Sequence, residues 1–137
     1  MRKLILAGIL GLLAQVHAAN ILIEPDPTKK PAKKIKVRVT AYWPGQDYWT
    51  SRYKSSTGYT LKSGKSCAVD PKLIPYGSTV VVAGREFRAI DTGSAVISRK
   101  ASRGKYPVVD LFFASETKAM RELATLPKYA WVEVKPK

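Results

Sequence analysis

Thr79-Val80-Val81-Val82-Ala83 is a run of β-branched and small residues, and Gly84-Arg85 follows as a turn. Glu86-Phe87-Arg88-Ala89-Ile90 then alternates charged with apolar side chains. Together the three pieces predict a β-hairpin whose first arm is buried. The hairpin runs straight into Asp91-Thr92-Gly93-Ser94. Upstream lie Cys67-Ala68-Val69-Asp70-Pro71 and Ile74-Pro75-Tyr76-Gly77; downstream lies Val108-Val109-Asp110-Leu111. Asp70, Asp91 and Asp110 therefore each stand beside a short apolar or β-favouring run. Asp is a poor strand former and is costly to bury unpaired, so placement for chemistry competes here with placement for packing. Asp-Pro and Asp-Thr-Gly are also ordinary turn signals. Asp110 is the least turn-like of the three, because Leu111-Phe112-Phe113 continue its run.

Working outward, Ile35, Val37, Val39 and Ala41 alternate with Lys36, Arg38 and Thr40, which predicts a half-buried strand ending at the turn Tyr42-Trp43-Pro44-Gly45. The loop from Gln46 to Tyr59 carries Tyr48, Trp49, Tyr53 and Tyr59. Such rings serve either as a small core for the loop or as a stacking platform for flat sugars or bases. Residues 98–106 read as a solvated basic loop and Val108 to Phe113 as a strand. Ser115 is placed to cap a helix with Glu116 in its first turn and Ala119, Met120, Leu123 and Ala124 on one apolar face; Pro127 stops it. Tyr129 to Val134 closes the chain as a strand. Five or six strands and one helix in about 100 residues argue a mainly β fold, a small barrel with a helix appended.

One domain is what 137 residues allow. Lys and Arg number 24 against 10 Asp and Glu, a formal charge of +14. At the N-terminus Arg2-Lys3 precede the apolar run Leu4 to Leu13 and the small-residue site around Ala18, the pattern of a cleaved secretory signal over residues 1–18. A membrane span needs about 20 apolar residues, and Gln15 and His17 interrupt this one. Cleavage removes Arg2 and Lys3, leaving 22 cations and 10 acids, or +12. Residues 19–34 combine Pro with like charge and read as an extended linker, with the domain running from 35 to 137. The protein is accordingly expected in the periplasm or outside the cell, with no stable membrane insertion.

The same cleavage takes away His17, the one histidine. A Ser-His-Asp or Cys-His nucleophile and a His-ligated zinc are then excluded. Cys67, the one cysteine, has no internal disulfide partner and reads as a small buried hydrophobe. Carboxylates, Lys and Tyr are left for catalysis. No GxGxxG or phosphate-binding loop is present, so no cofactor is expected; a metal held by the three aspartates lacks calcium-loop spacing.

Val39-Thr40-Ala41-Tyr42, Ser55-Ser56-Thr57-Gly58, Ala68-Val69-Asp70-Pro71 with Ile74-Pro75-Tyr76-Gly77-Ser78, Asp91-Thr92-Gly93 and Val109-Asp110-Leu111 resemble, in that order, the three-aspartate (3D) domain. The resemblance covers about residues 37–135. It implies a six-stranded double-psi β-barrel like the catalytic part of membrane-bound lytic transglycosylase A. Ser94 departs from the family's second Gly. Asp91 and Asp110 lie 110 − 91 = 19 positions apart, so the basic loop is an insertion beside the implied cleft.

The resemblance implies cleavage of the MurNAc–GlcNAc bond of peptidoglycan with a 1,6-anhydro product. It makes Asp110 the acid/base, Asp91 its near neighbour, and Asp70 the residue that orients loops or binds sugar hydroxyls. Tyr42, Ser55, Thr92 and Gly93 become candidate sugar contacts. The implied partners are peptidoglycan strands and anionic envelope polymers, which a +12 chain attracts in a salt-dependent way. The nearer rival is a non-catalytic wall-binding module, like the related expansins; nucleic acid is a distant third without a recognisable binding motif.

Overall fold

A computed structural model of the protein describes residues 26–137. The expected signal segment and the start of the linker lie outside the described residues. Among the described residues, no helix is long and apolar enough to cross a membrane.

Six strands close into a barrel in the order β1-β5-β2-β4-β3-β6. These are β1 (Lys33–Tyr42), β2 (Ser66–Ala68), β3 (Thr79–Val82), β4 (Arg85–Asp91), β5 (Val108–Phe112) and β6 (Tyr129–Lys135). β1 runs parallel to β5 and β2 parallel to β4, and every other pair is antiparallel. This mainly β closed barrel is the fold class expected. β1 starts at Lys33 rather than Ile35 because Lys33 and Lys34 pair with Val134 and Glu133, extending the ladder past the alternating residues. β2 is too short to announce itself by periodicity, yet it carries Cys67 fully buried and pairs on both sides.

Alternation sends the apolar residues of β1 and β5 into two clusters. Val37 and Val39 of β1, Val80 and Val82 of β3, Phe87 and Ala89 of β4, Val109 and Leu111 of β5, and Ala130, Val132 and Val134 of β6 fill the barrel. Their opposite-facing neighbours Tyr42, Val108 and Phe112 join Leu61, Ala68 and Val96 in a second cluster outside it. The Gln46–Tyr59 loop lies over that outer cluster: Tyr53 meets Phe112 edge-on at 5.7 Å, and Tyr42 meets it at 5.2 Å. Tyr48, Trp49 and Tyr59 stay exposed. Of the loop rings, Tyr53 therefore packs on the outer cluster, and the other three face solvent.

Several local expectations shift. The hairpin turn is Ala83-Gly84, not Gly84-Arg85, because both residues take positive φ (48° and 76°), the backbone that matches strand twist in a two-residue hairpin. Residues 98–106 are not a plain loop, since they contain a 3₁₀ turn at Lys100–Ser102. Helix α1 (Ser94–Ile97) precedes them, with Val96 buried in the outer cluster. Helix α2 (Glu116–Ala124) is capped by Ser115, whose hydroxyl accepts from the Lys118 N–H. Its apolar face is narrower than its sequence suggests: Ala119 is buried and Leu123 half-buried, but Met120 and Ala124 are exposed. Glu122 instead holds Arg85 in an ion pair at 2.5 Å.

Candidate active site

Asp110 reaches the surface by parity. Val109 and Leu111 point into the barrel, so Asp110 between them points out, beside its register partner Thr40 on β1. Thr40 Oγ1 donates to Asp110 Oδ1 at 2.7 Å. Among the described residues the Asp110 carboxyl has no other hydrogen-bond partner, and neither ion pair found there involves it. Half-burial raises its pKa to about 6; the Thr40 hydroxyl works against that shift and the nearby Asp91 charge adds to it.

Asp91 reaches the same place by breaking parity. Phe87 and Ala89 face the core, and unbroken alternation would carry Asp91 inward with them. The register slips between Cys67 and Ala68, so that Ala89 pairs with Cys67 but Asp91 pairs with Ala68, a residue of the outer cluster. Ile90 is the extra residue of this β-bulge, and the bulge re-aims Asp91 outward. There its carboxylate accepts three hydrogen bonds: from Tyr42 Oη at 2.7 Å, the Ser56 N–H at 2.8 Å and the Thr92 N–H at 2.9 Å. Asp91 is only 5% exposed. Burial, reinforced by the Asp91 charge, pushes the Tyr42 phenol far above its ordinary range and keeps it a donor.

A cleft of about 200 Å³ holds both carboxylates and is walled by Gln46, Thr50 and Gly93. It opens into a second hollow of about 430 Å³, where Asp110 and Tyr42 meet Ala95, Val96 and Lys100. The insertion between Asp91 and Asp110 therefore builds a wall of the groove. No Lys or Arg salt-bridges either aspartate among the described residues. One carboxyl is fixed by three donors and the other has a single donor and an open side, an arrangement suited to proton transfer by the second.

The other expected site residues fall less neatly. Thr92 and Gly93 line the cleft, and the Thr92 hydroxyl is buried without a protein partner. Tyr42 lines it too, but its phenol is engaged by Asp91, which makes it a positioning residue more than a sugar contact. Asp70 does not line the cleft that holds the other two aspartates. Its Oδ1 accepts from the Lys72 N–H at 3.0 Å and its carbonyl from Leu73 and Ile74, the pattern of an Asp-Pro turn and of a residue that orients its loop. Ser55 is buried against Thr57 Oγ1 at 3.0 Å, away from the cleft. Its neighbour Ser56 is the one that touches the site: its N–H binds Asp91, and its hydroxyl accepts from the Thr92 N–H at 3.1 Å. Thr40 and Ser56 were not singled out from sequence. Thr40 could have been found from strand parity, since it shares a face with Lys36 and Arg38. Ser56 carries no such signal. Among the described residues no group of three acids, His or Cys is placed to hold a metal ion.

Residues 65–132 match the family model described as the 3D domain. The matched span contains all three aspartates, while β1, which supplies Thr40 and Tyr42, precedes it. No curated protein matches the chain.

Proposed function

The chain carries a 3D domain, and from that premise we propose that it is an exported enzyme that cleaves peptidoglycan glycan strands as a lytic transglycosylase. The observation that carries this reading is the unequal treatment of two carboxyls in one groove: Asp91 held by three donors, Asp110 half-buried with one. A carboxyl whose pKa is raised to about 6 keeps a useful protonated fraction near neutral pH and can act as acid and then as base.

In this reading Asp110 protonates the glycosidic oxygen as the MurNAc–GlcNAc bond breaks, releasing GlcNAc as an alcohol. The muramic C6 hydroxyl attacks the anomeric carbon and gives its proton to the Asp110 carboxylate. The product is a 1,6-anhydro sugar, the acid is regenerated and no water is consumed. A second carboxylate nucleophile is not required, unlike the two-carboxylate glycosidases. Asp91 contributes a fixed negative charge that Tyr42 and two backbone N–H groups keep in place.

Incubation of the mature protein with purified sacculi, followed by mass analysis of the soluble products, tests the reading. Anhydro-muropeptides are expected, and Asp110→Asn should lower their release by about 10²–10⁴-fold. Reducing-end products would mean a water-using hydrolase. Salt-sensitive co-sedimentation without release would make the protein a wall-binding module instead.

A further inference from the structure

A cavity of about 590 Å³, larger than the acidic cleft, opens on the far side of the Ser56–Thr57 segment. Thr57 and Ile90 line it and are tied by Thr57 Oγ1 donating to the Ile90 carbonyl at 2.5 Å. Their chain neighbours Ser56 and Asp91 are tied in turn at the acidic cleft. The two spaces share one wall of backbone. The larger one is lined by Lys62 and Lys65, from the loop before β2, by Arg88 from the outward face of β4, and by Lys137 beyond β6. No acidic residue lines it, and neither ion pair among the described residues engages these four cations. Tyr59 and Tyr76 add exposed rings to the rim.

Four cations around one concavity favour an anion, and the tyrosine rings favour a ligand with flat or aliphatic faces. We infer that this basic cavity binds the carboxylate-bearing peptide branch of the glycan strand whose sugars lie in the acidic cleft, so that the protein selects peptide-substituted strands. The inference rests on the glycan reading proposed above. Lys62, Lys65 and Arg88 would recognise the peptide carboxylates, while Asp91 and Asp110 address the sugar.

The full chain carrying Asp110→Asn, which keeps ligands uncut, is titrated calorimetrically with two soluble glycan fragments of equal length. One bears its peptides and the other is stripped of them. The expected result is tighter binding of the peptide-bearing fragment. Adding Lys62→Gln, Lys65→Gln and Arg88→Gln should weaken that fragment about tenfold and leave the stripped one unchanged. All three sites are exposed; the Lys62→Gln, Lys65→Gln pair alone should give part of the same loss with Arg88, on its strand, left intact. Equal binding of the two fragments, or no effect of the substitutions, overturns the inference and leaves the glycan reading standing. Binding of neither fragment overturns both.

Discussion

The inside of the barrel and the patch outside β1, β4 and β5 are made by alternate residues of the same strands, yet they follow different rules. Inside, Val109, Leu111, Val37, Val39, Phe87 and Ala89 pack in one buried apolar cluster. Outside, Tyr42, Val108 and Phe112 make a smaller apolar bed on which Asp110 and Asp91 are set at intermediate and near-complete burial. A site on the inside would force two acids into a dry core, at a desolvation cost of several kcal/mol per charge. A site on a bare outer face would leave them in water with ordinary acidity. The thin cover given by the Gln46–Tyr59 loop and α1 produces the intermediate environment that raises the pKa of Asp110. Graded burial, more than the identity of the acids, separates the two regions.

Breaking the interior should have the largest effect on stability and the least on chemistry. Phe87→Ala should cost about 3–5 kcal/mol in denaturant unfolding, while the folded fraction keeps its pH profile. A changed profile would mean that core and site are not separable. Tyr42→Phe removes one of three donors to a nearly buried carboxylate and should cost about 1–3 kcal/mol, with cleavage reduced in parallel. No loss of stability would show that the outer patch is effectively solvent.

Asp110→Asn should move stability the other way. The folded pKa lies above the ordinary carboxyl value of 3.8, so the folded state binds this proton more tightly than the unfolded chain. Stability is therefore highest below the unfolded value and falls as pH rises through about 6. The Asn variant lacks that fall and should be more stable at neutral pH by about 1–3 kcal/mol, measured by melting across pH 4–8. The smallest effect concerns Thr40. Its hydroxyl favours the charged form of Asp110, so Thr40→Val should move the alkaline limb of cleavage to higher pH, by up to about one unit. A shift to lower pH would remove Asp110 as the acid.

These contrasts also mark what could be read along the chain. The alternation of Ile35, Val37 and Val39 against Lys36, Arg38 and Thr40 fixed which face of β1 is wet, and Val108 to Phe113 did the same for Asp110. Both are period-two patterns carried by near neighbours, and a strand's geometry obeys them wherever it lies. Export, the lone Cys67 and the absence of histidine after residue 18 are compositional and followed from sequence as expectations about chemistry. The order of the aspartate motifs was enough to suggest a double-psi barrel, and the closed six-stranded barrel agrees with it.

Tertiary structure alone decided the fate of each remaining site residue. Asp91 obeys no local pattern, because the bulge that turns it outward is a mismatch between strands whose paired residues, Ala68 and Asp91, lie 91 − 68 = 23 positions apart. Asp70 looks equivalent to Asp91 in sequence; only folding shows one carboxylate closing a turn and the other meeting Tyr42 across 49 positions. Ser55 and Ser56 are indistinguishable as letters, and the pairing of their loop with the end of β4 chose Ser56. The physical reason is common to all three. Alternation and turn chemistry are set by adjacent backbone sterics, whereas a shared hydrogen bond between distant segments exists only after the barrel has closed.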